Sequence, residues 1–263
     1  MEDATPRRGP PVRRALTAIL IFQLGLAALL VFGDVGTDFA LPARGPAVPA
    51  FDQPTRPGDQ TRKFDPAGFP ITRPAPGGPD TRPSGPMPER LTLDATADDL
   101  ILTGTIAAGD GERLKSMIAD RLATWPGTLP RVVLNSPGGS VSDALTLGRA
   151  IRDTGLATLV RDTDICLSAC PYLFAAGTER TAAASARIGV HQHYFGENTL
   201  LPAFTAVSDI QRGQGAVMRY LDEMGVDPML MVPGLATPPN EIYLLQPEEL
   251  TRYDLATAID GES

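Results

Sequence analysis

From residue 99 onward, short apolar strands alternate with amphipathic helices, and this alternation restricts the fold more than any other feature of the chain. The predicted strands are "DLILTGTI", the start of "RVVLNSPGGSV", "LATLV" and "ARIGVHQHY". The predicted helices are "DGERLKSMIADRLATW", "SDALTLGRAIRDTG", "SACPYLFAAG" and "TAVSDIQRGQGAVMRYLDEMG". Strands and helices that alternate across short turns predict an α/β domain with a largely parallel sheet.

Apolar periodicity predicts which helix faces are buried. In the first helix of the domain the stripe consists of Leu114, Met117, Ile118, Leu122 and Trp125. In the second helix Ala144, Leu147 and Ile151 are predicted to face the core, with Gly155 as its C-cap. We expect the functional side chains to lie at the turns between the end of a strand and the start of the next helix, as in other open α/β folds.

The N-terminus contains a membrane-targeting segment. Residues 15–33 form a 19-residue apolar run without a charge, close to the length that spans a bilayer as a helix. Four arginines precede the run and two aspartates follow it, which predicts a cytoplasmic tail over residues 1–14. The run is therefore a transmembrane anchor in the cytoplasmic (inner) membrane or a cleaved signal peptide. In both cases the following domain lies outside that membrane, which in a Gram-negative bacterium is the periplasm.

Residues 34–90 differ in composition from the rest of the chain. Thirteen of the 26 prolines lie between Leu41 and Arg90, with no apolar periodicity. Such a segment buries too little apolar surface to offset chain entropy, so a disordered proline-rich linker is predicted. The folded domain is then 91–263, with 12 basic and 22 acidic side chains. An acidic domain without a basic stripe argues against nucleic-acid binding.

Two predicted strand-to-helix turns carry chemistry-bearing residues. In "NSPGGS", Gly138 and Gly139 let backbone N–H groups approach a ligand at a helix start, where they can stabilise a developing negative charge. In "CLSACP", Ser168 lies just before Pro171, which suits the first turn of a helix. Ser168 is either a nucleophile or a helix-capping residue.

The basic residues available to activate Ser168 are few. His191 and His193 are the only two histidines, and both lie in the strand predicted at "ARIGVHQHY", where residues i and i+2 share a face. Lys63 and Lys115 are the only lysines, one in the linker and one on the first helix. A serine–lysine dyad with a downstream lysine is thereby excluded, and a histidine is the candidate base.

The only cysteines, Cys166 and Cys170, enclose Ser168. An exported compartment permits a disulfide, and a pair that straddles a strand-to-helix turn can close one. The alternative is two small buried apolar side chains. Two thiols at this spacing lack further ligands, so we predict no metal and no cofactor.

These blocks resemble the Clp protease proteolytic subunit and its relatives in the ClpP/crotonase superfamily. The resemblance rests on "LILTGTI", "VVLNSPGGSVSDALTLGRAI", "CLSACPYLFAAGTER", "ARIGVHQ" and "LLQPEELTRYDLAT", in that order. More narrowly, "C-x-S-A-C" behind an N-terminal anchor is similar to the exported ClpP-like proteins of bacteria. The implied fold is a ClpP/crotonase-like spiral of strand–helix units after one transmembrane helix, in a chain that assembles into homo-oligomers.

The resemblance also implies roles for individual residues. Ser168 takes the nucleophile position and His191 that of the general base. The backbone N–H groups of Gly139 or Gly138 and of Ala169 would form the oxyanion hole, and His193 would flank the cleft. No aspartate aligns at the third position of the triad. The candidates there are Asn240, Glu241 and, more distant in sequence, Asp227.

The implied activity is hydrolysis of peptides or unfolded protein segments by a serine peptidase that acts without ATP, because no G-x-x-x-x-G-K-[ST] motif occurs in the chain. Two alternatives stay open. One is an inactive family member that serves as a binding or assembly module. The other is an acyl-CoA enzyme of the crotonase branch, which uses oxyanion donors without a serine–histidine pair.

Overall fold

The computed structural model describes residues 11–36, 48–74, 81–193 and 203–261, which fall into two compact units, Met1–Ala47 and Val48–Ser263. In the first unit helix α1 (Pro11–Gly36) contains an 18-residue stretch, Val12–Leu29, that is long and apolar enough to cross a membrane. A signal sequence has the same properties, so α1 fits both alternatives for residues 15–33.

The described part of the second unit contains short strands and six α-helices. The strands are β1 (Thr61–Lys63), β2 (Pro70–Pro74), β3 (Thr81–Pro86), β4 (Thr92–Ala95), β5 (Asp99–Thr103), β6 (Arg131–Asn135), β7 (Ala157–Val160), β8 (Ile165–Leu167), β9 (Arg180–Ala183), β10 (Arg187–Val190), β11 (Glu241–Leu244) and β12 (Ala258–Asp260). The helices are α2 (Asp110–Ala123), α3 (Val141–Asp153), α4 (Cys170–Ala175), α5 (Ala203–Glu223), α6 (Met231–Ala236) and α7 (Pro247–Arg252).

Two larger sheets organise the described part of this unit, and β2 and β3 form a separate two-stranded antiparallel sheet. The larger sheet has the order β12-β9-β7-β6-β5-β4, and all of its pairs are parallel except β5 with β4. The smaller sheet has the order β1-β11-β10-β8, in which β8 and β10 are parallel and the other pairs antiparallel. The predicted α/β architecture with largely parallel strands is confirmed at this level.

The core lies between the larger sheet and its helices. On α3 the predicted residues Ala144, Leu147 and Ile151 are all fully buried, and Gly155 follows the C-cap with a φ of 73°. On α2 only part of the predicted stripe reaches the interior: Leu114 and Ile118 are buried, whereas Met117 is exposed. On α5 Val217 and Leu221 are buried and Met218 is exposed.

One predicted strand is shorter than expected. The strand expected over "ARIGVHQHY" ends at Val190, so neither histidine belongs to it. The prediction that His191 and His193 share one strand face is therefore wrong. Backbone hydrogen bonds give the reason, because Gln192 donates its N–H to Thr237 instead of continuing the ladder. The two histidines consequently have different neighbours.

The disordered linker predicted over 34–90 is also corrected. Residues 37–47 and 75–80 lie outside the described part, but 48–74 and 81–90 contain β1, β2 and β3, and they belong to the same unit as the predicted domain. A second, smaller apolar cluster explains why. Its buried members are Ile165, Leu167, Ile242 and Leu244, and the side chains packed against it are Phe51, Phe64, Phe69 and Met87. A few well-spaced apolar residues thus order a segment whose average composition predicts disorder.

Candidate active site

Ser168 occupies a sharp turn between β8 and α4. Its φ is 60°, a left-handed conformation that is uncommon for a residue other than glycine. Such a conformation costs on the order of 1–3 kcal/mol and persists only where the surroundings enforce it. Here the N–H of Ser168 donates to the carbonyl of Gly189 on β10 at 2.9 Å, which fixes the turn against the neighbouring strand.

The hydroxyl of Ser168 faces His191. Ser168 Oγ and His191 Nε2 are 2.7 Å apart, which is hydrogen-bonding distance. The capping alternative does not hold, because Ala169 is the N-cap of α4 and no side chain caps that helix. The serine side chain is half-buried and the histidine is 7% exposed, so the pair lies at the edge of the interior.

Parallel pairing of β8 and β10 explains this meeting of residues 23 positions apart. Gly189 is in register with Leu167, so the chain leaves both strands at the same edge of the sheet. Ser168 directly follows β8, and His191 directly follows β10, two residues after Gly189. Chemistry-bearing side chains gather at the carboxyl ends of parallel strands for this reason.

The other ring nitrogen of His191 contacts a backbone carbonyl. His191 Nδ1 is 3.1 Å from the oxygen of Pro239. A proton on Nδ1 donates to that carbonyl and leaves Nε2 free to accept the serine hydroxyl, so this tautomer satisfies both contacts. The geometry is that of a nucleophile, a base and a group that orients the base.

None of the predicted third members takes this orienting position. Asn240 is exposed, and its backbone carbonyl accepts the N–H of Phe64. The carboxylate of Asp227 caps the turn at Met229, and Glu241 makes no hydrogen bond to His191 among the described residues. The expectation for Asn240 is therefore corrected to the main-chain oxygen one residue earlier. A carbonyl can orient the ring but stabilises an imidazolium less than a carboxylate does.

Burial sets the protonation of His191. Desolvation of the ring lowers the pKa of His191 below its ordinary value of 6.5, and the carbonyls of Pro239 and Pro238 oppose this effect. Burial disfavours the charged imidazolium, so the ring is neutral near neutral pH. A neutral imidazole is the form that can accept a proton from serine.

His193 belongs to a different contact. Its Nε2 lies 2.6 Å from the hydroxyl of Tyr172, on the helix that follows Ser168. Burial lowers the pKa of His193 to about 4, with a smaller contribution from His191. Ser168 therefore bonds to His191 and not to His193, and the expectation that His193 flanks a cleft stays a prediction.

The turn at Gly138 and Gly139 packs directly against the turn at Ser168. Gly138 and Gly139 have φ values of 96° and 138°, in the region that favours glycine. A Cβ on Gly138 would lie 2.5 Å from the carbonyl oxygen of Leu167 and from Cβ of Ser168. A side chain at this position would displace Ser168, so the close approach requires glycine.

Of the three backbone N–H groups predicted to form the oxyanion hole, one donates a hydrogen bond within the protein and two do not. The N–H of Gly138 donates to Ser136 Oγ at 3.1 Å, which removes it from the candidates. The N–H groups of Gly139 and Ala169 make no hydrogen bond within the described part of the chain. They are the two remaining donors in the turns that meet at Ser168.

Cys166 and Cys170 are joined in a disulfide, and both are fully buried. The bridge spans the turn that contains Ser168 and coexists with its hydrogen bond to His191. It therefore does not hold the serine away from the base. A covalent link across five residues restricts the backbone on both sides of Ser168.

Replacement of both cysteines by alanine is expected to lower the free energy of unfolding by about 2 kcal/mol, because the unfolded chain then regains the freedom of a closed loop. The measurement is denaturant unfolding of the purified full-length protein in detergent. When wild-type protein is unfolded in the presence of a reductant, its free energy of unfolding should approach that of the variant. Equal stability of variant and oxidised wild type would show that the bridge contributes nothing.

Two parts of the site were not predicted from the sequence: the Pro239 carbonyl and the ring of Phe64, which lies against His191. A main-chain oxygen leaves no residue-type signal, and Phe64 lies in a segment whose composition indicates a linker.

Among the described residues no group of three or more His, Cys, Asp or Glu could hold a metal ion. No protein-family model matches the chain, and neither does any curated protein.

Proposed function

We propose that this chain is a membrane-tethered, extracytoplasmic serine peptidase of the ClpP type that hydrolyses peptide bonds without ATP. The observation that carries the proposal is the 2.7 Å contact between Ser168 Oγ and His191 Nε2. The left-handed turn at Ser168 and the two available N–H groups beside it support the same chemistry. The apolar helix α1 supports the tether.

The chemistry proceeds in two steps. His191 Nε2 accepts the Ser168 hydroxyl proton while Oγ attacks a peptide carbonyl, and the N–H groups of Gly139 and Ala169 stabilise the oxyanion. His191 then donates that proton to the departing amine, which leaves an ester on Ser168. A water molecule gives its proton to the same nitrogen and attacks the ester. Collapse releases the new carboxylate, and the proton returns to Ser168.

The ClpP-like spiral is part of the proposal. It is supported by the alternation of strands between the sheets: β7 and β9 lie in the larger sheet, whereas β8 and β10 pair in the smaller one. An isolated parallel β-bridge between Ser136, just after β6, and Cys166 on β8 links the two sheets. The chain thus passes between two sheets at the nucleophile. By analogy with relatives that form rings or trimers, we include a homo-oligomer in the proposal, for which Met218, Met229 and Val232 offer exposed apolar surface.

A fluorophosphonate probe should label the full-length protein in detergent, and peptide mass mapping should locate the adduct on Ser168. The probe reacts with a serine whose proton a neighbouring base accepts, so ordinary serines stay unmodified. Heat-unfolded protein is the control. Absence of an adduct at Ser168 between pH 6 and 9 would remove the peptidase proposal.

A second candidate function is an inactive binding or assembly module. The carbonyl at His191 Nδ1 favours it, because no carboxylate orients that histidine within the described residues. The two functions differ in their need for the hydroxyl. A module would capture its partner equally well with wild-type protein and with Ser168→Ala, and neither would react with the probe.

A further inference from the structure

The segment that follows the first unit is attached along the edge of the smaller sheet and ends at the candidate base. Strand β1 pairs antiparallel with β11, with Arg62 opposite Ile242 and Lys63 opposite Glu241. The next residue, Phe64, donates its N–H to the carbonyl of Asn240 at 3.0 Å. Phe64 therefore sits beside the short stretch that supplies the Pro239 carbonyl to His191.

Two buried polar side chains stabilise this segment, Arg62 within the segment itself and Gln60 through bonds to residues outside it. Arg62 is fully buried and donates to the carbonyls of Asp59 (2.7 Å), Thr61 (3.0 Å) and Pro54 (3.2 Å). Gln60 donates to Tyr243 Oη at 2.6 Å and to Glu249 Oε2 at 2.7 Å. Breaking such buried hydrogen bonds leaves unsatisfied groups. The bonds of Gln60, together with the pairing of β1 and β11, therefore hold the segment against the smaller sheet.

The ring of Phe64 contacts the ring of His191 edge-on. Their centroids are 4.9 Å apart with an interplanar angle of 63°. Phe69 lies behind Phe64, with 6.0 Å between the ring centroids, and contacts Phe51 at 4.7 Å. Aromatic pairs at these distances and tilts are favourable beyond the area they bury. The imidazole is thus held between Ser168, the Pro239 carbonyl and an aromatic ring.

We propose that Phe64 is a positioning residue of the candidate site, which keeps the His191 ring in the orientation that directs Nε2 at Ser168. The inference rests on the proposed function in assigning His191 the role of base. A carboxylate at Nδ1 would orient the ring by charge, and the carbonyl found there does so only weakly. Packing against Phe64 supplies the missing constraint, so a segment outside the predicted domain completes the site.

Phe64 also contributes to the burial of His191. The charged or titratable side chains on the elements around this contact are Lys63 and Asp65 beside Phe64, Glu241 on β11, and His193 two residues after His191. Among them, His193 has its pKa lowered in small part by His191. Truncating Phe64 exposes the imidazole to water, which favours its charged form, so the pKa of His191 should rise toward 6.5.

The test uses full-length protein in detergent and follows the ring protons of both histidines by NMR as pH is varied, with His193→Gln to assign them. In Phe64→Ala the pKa of His191 should rise, and probe labelling at Ser168 should fall on the order of 10- to 100-fold because the base is misaligned. The acid limb of labelling should move to higher pH. Phe64→Leu, which restores most of the apolar cover, should recover both properties in part.

Phe69→Ala is the matched control, since it removes a ring from the same cluster without touching His191. It should leave the pKa of His191 and the pH profile as in wild type. Equal effects of Phe64→Ala and Phe69→Ala, or an unchanged pKa in Phe64→Ala, would overturn the positioning role. Faster labelling of Phe64→Ala would overturn it too, because Phe64 would then obstruct the site. If wild type is never labelled but the pKa of His191 still responds to Phe64 alone, the peptidase proposal fails and the contact of the rings stands.

Discussion

Ser168→Ala is expected to lose all measurable fluorophosphonate labelling and to slow peptide hydrolysis by at least about 10³-fold, as removal of the nucleophile does in serine hydrolases. The hydroxyl of Ser168 is the only side-chain group that His191 Nε2 contacts among the described residues. Without it the base has no proton to accept and no covalent intermediate can form. Backbone donors at Gly139 and Ala169 would leave only a residual rate.

The stability of Ser168→Ala should remain close to that of wild type. The φ of 60° at this position is about equally unfavourable for serine and for alanine. The lost hydrogen bond contributes about 1 kcal/mol to the free energy of unfolding. Ser116→Ala, on an exposed face of α2, is the matched serine-to-alanine control and should label normally. Thermal unfolding of both variants separates loss of chemistry from loss of fold. Labelling of Ser168→Ala at the wild-type rate would place the reactive group elsewhere.

Much of the larger sheet was predictable because its strands and helices follow simple periodicities. The apolar run before Asn135 forms a buried parallel strand, and Ala144, Leu147 and Ile151 face the core as expected from helical spacing. The meeting of the two turns follows from the same order of elements. The parallel bridge between Ser136 and Cys166 brings the turns after β6 and β8 together, which places Gly138 beside Ser168.

Other parts of the site depend on contacts that residue types do not reveal. The group that orients His191 is the main-chain oxygen of Pro239, and residue types, which reveal only side chains, predicted Asn240 instead. The order of residues 48–74 depends on a few aromatic side chains that find a partner cluster, while average composition indicates a linker. Phe64 combines both difficulties, because its contact with His191 is long-range and its own segment carries no periodicity.

His191→Gln is expected to lower the labelling rate at Ser168 by at least about 10³-fold, which corresponds to roughly 4 kcal/mol of transition-state stabilisation. A glutamine amide can hydrogen-bond to Ser168 but cannot accept its proton. His193→Gln is the matched control, since its side chain can still bond to Tyr172, and it should label at a rate close to wild type. If the labelling rate at Ser168 fell by a comparable factor in both variants, the loss would reflect disturbed packing and not the removal of a base.

The pH dependence of the wild type provides a second check on His191. Labelling requires the neutral imidazole, so the rate should fall as pH decreases through the pKa of His191. Burial lowers that pKa below 6.5, which moves the loss of labelling to more acidic pH and leaves a plateau near neutrality. The residual rate of His191→Gln should lack this acid limb, because no group titrates there. An acid limb that persists in His191→Gln would assign the titration to another group and deny His191 the role of base.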